Sequence, residues 1–183
     1  MCVLVAFASR HGATRELAEH LAGVLADAGR PAEAHPVTED VELRGYDAAV
    51  IGSAAYGGRW LKEAVAFVAD HRQALSAMPV WLFSSGPLGH HPATSTAAEA
   101  RTAAVPRDVP WLQELVGARQ HLVFSGALRP DVLTFRERAL RRLPGGRSIL
   151  PEGDFREWDE IEDWARAIAA QLPLAAPDLR RTD

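Results

Sequence analysis

The sequence predicts one α/β domain with a doubly wound parallel sheet of five strands, in the order 2-1-3-4-5, and helices on both faces. Short apolar runs bounded by turn residues alternate with segments of helical periodicity, which is typical of this fold class. The chain has 183 residues, 48% of them hydrophobic, and can therefore bury one core but divides poorly into two domains. We assign residues 1–172 to the domain and 173–183 to a C-terminal tail.

The predicted strands are apolar runs at 3–8, 48–52, 79–84 and 121–127, and a weaker run at 32–37 suits an edge strand. The first run lies at the start of the chain, where a signal peptide would also be apolar. It lacks a basic leading region and is too short to span a bilayer. We therefore expect it to form a buried strand.

Apolar residues recur at helical spacing in the segments 17–28, 61–68 and 158–172, which we predict to be helices. Two stretches do not fit this pattern of strands and helices. One is the long connection 86–118, which contains several prolines, and the other is an arginine-rich helix candidate at 132–143. Long connections inside compact domains are usually functional. The basic helix has two interpretations that stay open, a solvated face or a surface for an anionic partner.

Charge and cysteine content narrow the function classes. The formal net charge is −4, so we expect no nucleic-acid partner and at most peripheral membrane contact. Cys2 is the single cysteine, which excludes an internal disulfide and a cysteine-based zinc cluster and indicates a cytoplasmic protein. Adjacent His90 and His91 without a third ligand do not predict a metal site. We expect a small-molecule substrate or a protein partner, and the sequence leaves a homodimer open.

The loop after the first strand predicts a phosphate site. It joins a buried strand directly to an amphipathic helix, whose N-terminal amides and dipole favour an anion. Glycine lets the backbone approach a phosphate, and the two hydroxyl side chains add donors. The dinucleotide fingerprint and the nucleotide P-loop are both absent. An ordinary strand–helix turn with hydroxyl caps is the alternative. The six residues are Ser9, Arg10, His11, Gly12, Ala13 and Thr14.

Two further loops follow strands that end at the same edge of the sheet. In this topology a crevice opens at the switch point between the first and third strands, so the loops should face one ligand. The loop after the third strand contains Ser53, Ala54, Ala55, Tyr56, Gly57, Gly58, Arg59 and Trp60. The loop after the fourth contains Ser84, Ser85, Gly86, Pro87, Leu88 and Gly89.

The first loop resembles the Thr/Ser-x-Thr-Gly-x-Thr phosphate loop of flavodoxins, with His11 at the middle hydroxyl position and Ala13 at the usual asparagine. The second resembles their isoalloxazine loop. The resemblance implies a flavodoxin-like fold that holds FMN with all three loops. It also implies that Tyr56 or Trp60 covers one ring face and that Arg59 places a cation near N1 and C2=O2. Electron-carrying flavodoxins usually have an aromatic in the third loop, so its absence here, unless His90 or His91 replaces it, predicts an open ring face.

The segments 125–128 and 153–159 resemble the branch of flavodoxin-domain proteins related to menaquinone-dependent protoporphyrinogen IX dehydrogenase. This resemblance implies an FMN enzyme that oxidises a reduced organic substrate and reduces a quinone. The flavin would carry the chemistry, because no side-chain constellation for hydrolysis is evident. Two alternatives stay open: an electron carrier that docks with redox partner proteins, and a flavin-free binding module. A magnesium-dependent receiver domain is set aside because Ser9 and Ser53 stand where aspartates are needed.

Overall fold

The computed structural model describes residues 1–86, 105–128 and 153–173. Several sequence predictions lie outside these ranges: the loop residues Pro87, Leu88 and Gly89, the histidines His90 and His91, the arginine-rich helix candidate and the C-terminal tail.

The described chain forms strands β1 (Val3–Ala8), β2 (Ala32–Pro36), β3 (Ala48–Tyr56), β4 (Arg59–Trp60), β5 (Val80–Ser85), β6 (Gln120–Phe124), β7 (Ala127–Leu128) and β8 (Gly153–Asp154). The helices are α1 (Ala13–Asp27), α2 (Lys62–Asp70), α3 (Arg72–Leu75), α4 (Val109–Val116) and α5 (Trp158–Gln171).

The predicted doubly wound sheet is confirmed. Its parallel strands follow the order β2-β1-β3-β5-β6, which is the predicted 2-1-3-4-5 when the short antiparallel β4 is left out. A separate two-stranded ribbon pairs β7 with β8. The switch point lies between β1 and β3, because β1 connects to β2 on one side and β3 connects to β5 on the other.

Helices cover both faces of the sheet, and β1 is buried along its whole length. Val3, Val5 and Phe7 pack in the core under α1 and α5, while Leu4, Ala6 and Ala8 pack under α2 and α4. A strand buried on both faces has no polar alternation, so β1 is a continuous apolar run.

The boundary predicted for the third strand was wrong. It was placed at residue 52, but β3 continues to Tyr56, so part of the predicted loop is strand. Ser53 pairs with both Ala8 and Ser84, and Ala54 pairs with Ser85. Backbone ladders on both sides therefore extend the strand through small residues that give no apolar signal.

Gly52 is fixed by packing inside β3. A Cβ built there would lie 1.9 Å from Cζ of Phe83 on the neighbouring β5. The aromatic ring therefore occupies the space of the missing side chain, in the layer beneath the carboxyl edge of the sheet.

Candidate functional site

The first loop leads from β1 into α1 through a closed turn. Ser9 Oγ accepts a hydrogen bond from the Gly12 amide at 3.1 Å. Gly12 is the N-terminal cap residue of α1, with φ of 89°, a conformation that favours glycine. A Cβ built on Gly12 would meet no described atom within 4 Å, so its backbone is open to approach. The loop geometry therefore fits close contact between backbone and ligand.

Helix α1 begins at Ala13, so Ala13 and Thr14 form its first turn instead of the end of the loop. The Glu16 amide is the donor of the turn's bond to the Gly12 carbonyl, at 3.0 Å. The amides of residues 13–15 precede it and have no partner within the helix. No side-chain cap for this helix is found in the described residues. A set of amide donors at a positive helix end can hold a phosphate.

The second loop is a tight hairpin between β3 and β4. Its two central residues, Gly57 and Gly58, have φ of 59° and 72°, as a type I′ turn requires. Asp108, at the N-cap position of α4, bonds the hairpin through its carboxylate. One of its carboxylate oxygens lies 2.8 Å from Arg59 Nη1, and the other accepts a bond from the Trp60 amide at 3.2 Å. Arg59 is therefore ion-paired here, to a partner 49 positions away that no local pattern predicts.

The first two loops meet at Tyr56. The Arg10 guanidinium carbon lies 4.7 Å from the centroid of the Tyr56 ring, within the range of cation–π contacts. The His11 ring lies edge-on to the same ring, with centroids 6.2 Å apart. Arg10 and His11, which lie 46 and 45 positions before Tyr56 in the sequence, are thus brought beside it at the carboxyl edge of β1 and β3.

Trp60, the other aromatic candidate, is enclosed by the core. Its exposed fraction is 4%, and it packs with the residues under α2 and α4. Its indole Nε1 donates to Ser84 Oγ at 2.7 Å. This enclosure favours a packing role for Trp60, because its indole is bonded inside the core. Tyr56 is the candidate that remains at the crevice.

Ser84 links the hairpin to β6. Its Oγ lies 2.8 Å from Nε2 of His121. An indole can only donate, so Ser84 accepts from Trp60 and its hydroxyl proton is available to the imidazole. Burial lowers the pKa of His121 to about 4, which keeps the ring neutral near pH 7. Sequence analysis missed His121, which lies inside an apolar run and has no motif around it.

Two other predicted serine positions, Ser53 and Ser85, are buried. Ser53 Oγ accepts from the Leu61 amide at 3.0 Å and donates to the Ala54 carbonyl at 2.9 Å, so it fixes the start of α2. Ser85 is buried at the end of β5. After it, Gly86 has φ of 114° and donates to the Phe124 carbonyl at 2.9 Å. A Cβ on Gly86 would lie 3.5 Å from the Ala55 carbonyl oxygen, which places the third loop beside the second.

Arg156 is a residue of the site that sequence reasoning did not single out. Its side chain is 7% exposed and lies between the β7–β8 ribbon and the start of α1. Nη1 lies 2.8 Å from Glu16 Oε2, while Nη2 and Nε bond to the two oxygens of Asp154 at 2.6 and 2.8 Å. Hydrogen bonds to Asp154 raise the pKa of Arg156 further. Its ion-pair partner in α1, Glu16, is 140 residues away in sequence, so no local pattern indicates the contact.

A cavity of about 90 Å³ opens beside the first turn of α1. It is lined by His11, Ala13, Glu16, Ala127, Asp154 and Arg156. Within the described ranges, no three residues of the metal-ligating types cluster as a metal site would require. None of the helices described combines the length and the apolar character needed to cross a bilayer.

Comparison with known proteins identifies the family. The family model described as Flavodoxin domain matches residues 4–143, which is more than half of the chain. The chain belongs to the flavodoxin domain family. It is 27% identical over 181 residues to protoporphyrinogen IX dehydrogenase [quinone] of Escherichia coli K12, a match that covers 92% of this chain and 95% of that protein.

Solved structures of flavodoxins share the fold of this flavodoxin-domain chain. Oxidised Flavodoxin 1 from Bacillus cereus aligns with a TM-score of 0.58 at 16% identity, covering 94% of this chain and 100% of that chain. Oxidised Flavodoxin 2 from the same organism aligns with a TM-score of 0.57 at 19% identity, covering 94% and 100%. At these identities the likeness establishes the fold alone.

Proposed function

We propose that this flavodoxin-domain protein binds FMN non-covalently at the crevice and acts as an oxidoreductase that passes electrons from a reduced organic substrate to a quinone. The observation that carries the proposal is the meeting of the glycine-capped loop and Tyr56 at the switch point. One loop offers amides for an anion, and the other offers an aromatic ring beside it. FMN combines these two requirements, a phosphate and a flat ring system.

The proposed binding roles follow from position. The amides of residues 13–15 would hold the phosphate, with Gly12 allowing close approach, and the buried Thr14 would add its hydroxyl from within the first turn of α1. Backbone groups of the Gly57–Gly58 turn and of Ala55 would face the ring edge, and Tyr56 would cover one ring face. When bound, the flavin supplies the redox chemistry, and the protein orients it and limits its contact with water.

An enzyme is favoured over a carrier by two observations. The relative named protoporphyrinogen IX dehydrogenase [quinone] matches along nearly its whole length. In addition, the described start of the third loop, Ser84 to Gly86, carries no aromatic ring, and sequence positions 87–89 add none. A ring face without an aromatic cover is open to a second planar molecule, such as a quinone or a reduced tetrapyrrole. The cytoplasmic location and the absence of a nucleic-acid partner stay predictions.

The first experiment measures binding. Purified protein is titrated into FMN, FAD and riboflavin while flavin fluorescence is followed. We expect stoichiometric FMN binding and much weaker FAD binding, because the described phosphate loop runs directly into α1 and has no second glycine-rich site for an adenylate. Comparable FAD affinity, or no flavin binding at all, would contradict the proposal, and the latter would favour a flavin-free binding module.

A matched pair of tyrosine variants tests the ring site, since the chain has two tyrosines. Tyr56→Leu should weaken FMN binding about tenfold or more through loss of ring stacking. Tyr46→Leu is the control, because the Tyr46 hydroxyl donates to Glu33 at 2.7 Å, beside the edge strand β2. Equal losses of FMN affinity in the two variants would show that the flavin ring does not stack on Tyr56.

The second experiment separates enzyme from carrier. The FMN-loaded protein is reduced anaerobically and mixed in a stopped-flow instrument with menadione or with a one-electron protein acceptor. We expect rapid reoxidation by menadione, because the open ring face permits stacking and direct transfer. Sluggish reaction with menadione together with rapid reaction with the protein acceptor would favour the electron carrier.

A further inference from the structure

Arg156 connects two acidic side chains at the helix end where the proposed phosphate binds. Glu16 lies in the first turn of α1, and its carboxylate accepts a bond from Arg156 Nη1 at 2.8 Å. The same Nη1 lies 3.5 Å from the carbonyl oxygen of Ala13, in that first turn. The guanidinium therefore contacts the helix segment whose amides face the crevice.

The guanidinium is held rigidly. Asp154 on β8 accepts hydrogen bonds from it with both carboxylate oxygens. The guanidinium carbon of Arg156 lies 4.5 Å from the centroid of the Trp158 ring. A planar cation with bonds at both ends and an aromatic ring beside it has little freedom to move. Because its side chain is almost fully buried, its charge is screened only weakly by salt.

This arrangement matters for an anionic ligand. An acidic side chain in the first turn favours helix formation, but its charge opposes a phosphate bound at the same amides. Arg156 offsets the charge of Glu16 while leaving those amides in place. Without it, the phosphate would bind beside two uncompensated negative charges, on α1 and β8, instead of a net charge of one.

Resting on the proposed FMN site, we propose that Arg156 is a positioning residue for the flavin phosphate, acting through Glu16 and Asp154 without touching the ligand. It offsets one of the two negative charges beside the first turn of α1 and ties this turn to the β7–β8 ribbon. The role concerns the phosphate and not the ring. Its signature is therefore a change in the preference for FMN over riboflavin, which lacks the phosphate.

The test measures dissociation constants of FMN and riboflavin for the full-length chain. Arg156→Gln should weaken FMN binding about tenfold or more, because an uncompensated charge then faces the phosphate, and should leave riboflavin binding within about threefold. Glu16→Gln in the Arg156→Gln background should restore most of the lost FMN affinity. Arg156→Lys, which keeps the charge, should keep the preference for FMN.

The control variant is Arg166→Gln. Arg166 bonds Glu162 and Asp163 on the exposed surface of α5, so this change removes one cation from a comparable acidic pair away from the crevice. It should leave both dissociation constants unchanged. If Arg156→Gln does not fold, Arg156→Lys and the double variant are still compared with the wild type, and loss of the FMN preference in either one overturns the inference.

The outcomes are separable. If the wild-type chain binds FMN and Arg156→Gln loses FMN and riboflavin affinity equally, the role is merely structural and the inference is overturned. It is also overturned if the Glu16→Gln change gives no rescue, or if Arg156→Lys loses as much preference as Arg156→Gln. If the wild-type chain binds neither flavin, the proposed function fails, and the inference fails with it.

Discussion

Acidification should destabilise the protein through His121. Since burial holds its pKa at about 4 in the folded state and an unfolded histidine titrates near 6.5, the unfolded chain takes up the proton first as the pH falls. Above about pH 6.5 neither state binds this proton and the unfolding free energy is not reduced. As the pH falls from about 6.5 to 4, the unfolded state alone is protonated, and the unfolding free energy decreases. A difference of about 2.5 pKa units corresponds to about 3 kcal/mol.

Hydrogen bonds from His121 through Ser84 to Trp60 explain how protonation of His121 would affect the crevice. Ser84 Oγ can donate to His121 Nε2 only while that nitrogen is unprotonated. Once the imidazolium forms, both ring nitrogens are donors, and Ser84 must accept from His121 and Trp60 together. The buried Ser84 proton then loses Nε2 as its acceptor, and the link from β6 through Ser84 to the hairpin carrying Tyr56 is weakened.

The assay is urea unfolding of the apoprotein at pH 7.0 and pH 4.5, for the wild type and for His121→Gln. The amide can still accept from Ser84 but does not titrate. Between these pH values the wild type should lose about 2.5 kcal/mol more of its unfolding free energy than the variant. Carboxylates that titrate in the same range affect both proteins and cancel in the comparison. Equal pH dependence of the two proteins would refute the reasoning.

The remaining predictions concern two glycines. Gly52→Ala should lower the unfolding free energy by about 1–3 kcal/mol or more, because the new Cβ overlaps Phe83. Gly23→Ala, in the open middle of α1, is the control and should not lower it. Urea unfolding measures both variants. Gly12→Leu should weaken FMN binding, measured by fluorescence titration, because the side chain blocks approach of the phosphate to the backbone. Gly45→Leu is the control. It imposes the same positive-φ strain away from the crevice and should leave FMN affinity unchanged. FMN affinity unchanged by Gly12→Leu would place the phosphate elsewhere.

The strands, helices and loops could be predicted because they depend on local sequence, whereas the sheet order and the crevice followed from the fold class that they indicate. Each central strand is a continuous apolar run, and each is followed by small residues at the carboxyl edge. Helix α1 shows its buried stripe from Leu17 to Leu25 at helical spacing. The far end of β3 could not be found in this way. Its last residues are held by backbone ladders to neighbouring strands, which leave no apolar period in the sequence.

Side-chain roles at the site were harder to predict, and Trp60 shows why. A loop tryptophan beside a proposed flavin site resembles a stacking residue when only the sequence is considered. Its orientation is decided by a hydroxyl on β5 and an imidazole on β6, neither of which belongs to the loop. Tyr56, four residues earlier, lies on the other side of the hairpin turn and stays at the crevice with Arg10. Residue type alone could not separate the two rings.

Each loop of the crevice is held by a side chain from later in the chain. Asp108 bonds the β3–β4 hairpin, His121 bonds the end of β5, and Arg156 bonds the first turn of α1. The loops therefore supply the groups that face a ligand, while the later segments fix where those groups lie. A phosphate-loop motif predicts anion binding because the backbone amides that bind the anion belong to the motif itself. The precision of the site depends on contacts between distant residues, and only the folded chain brings those residues together.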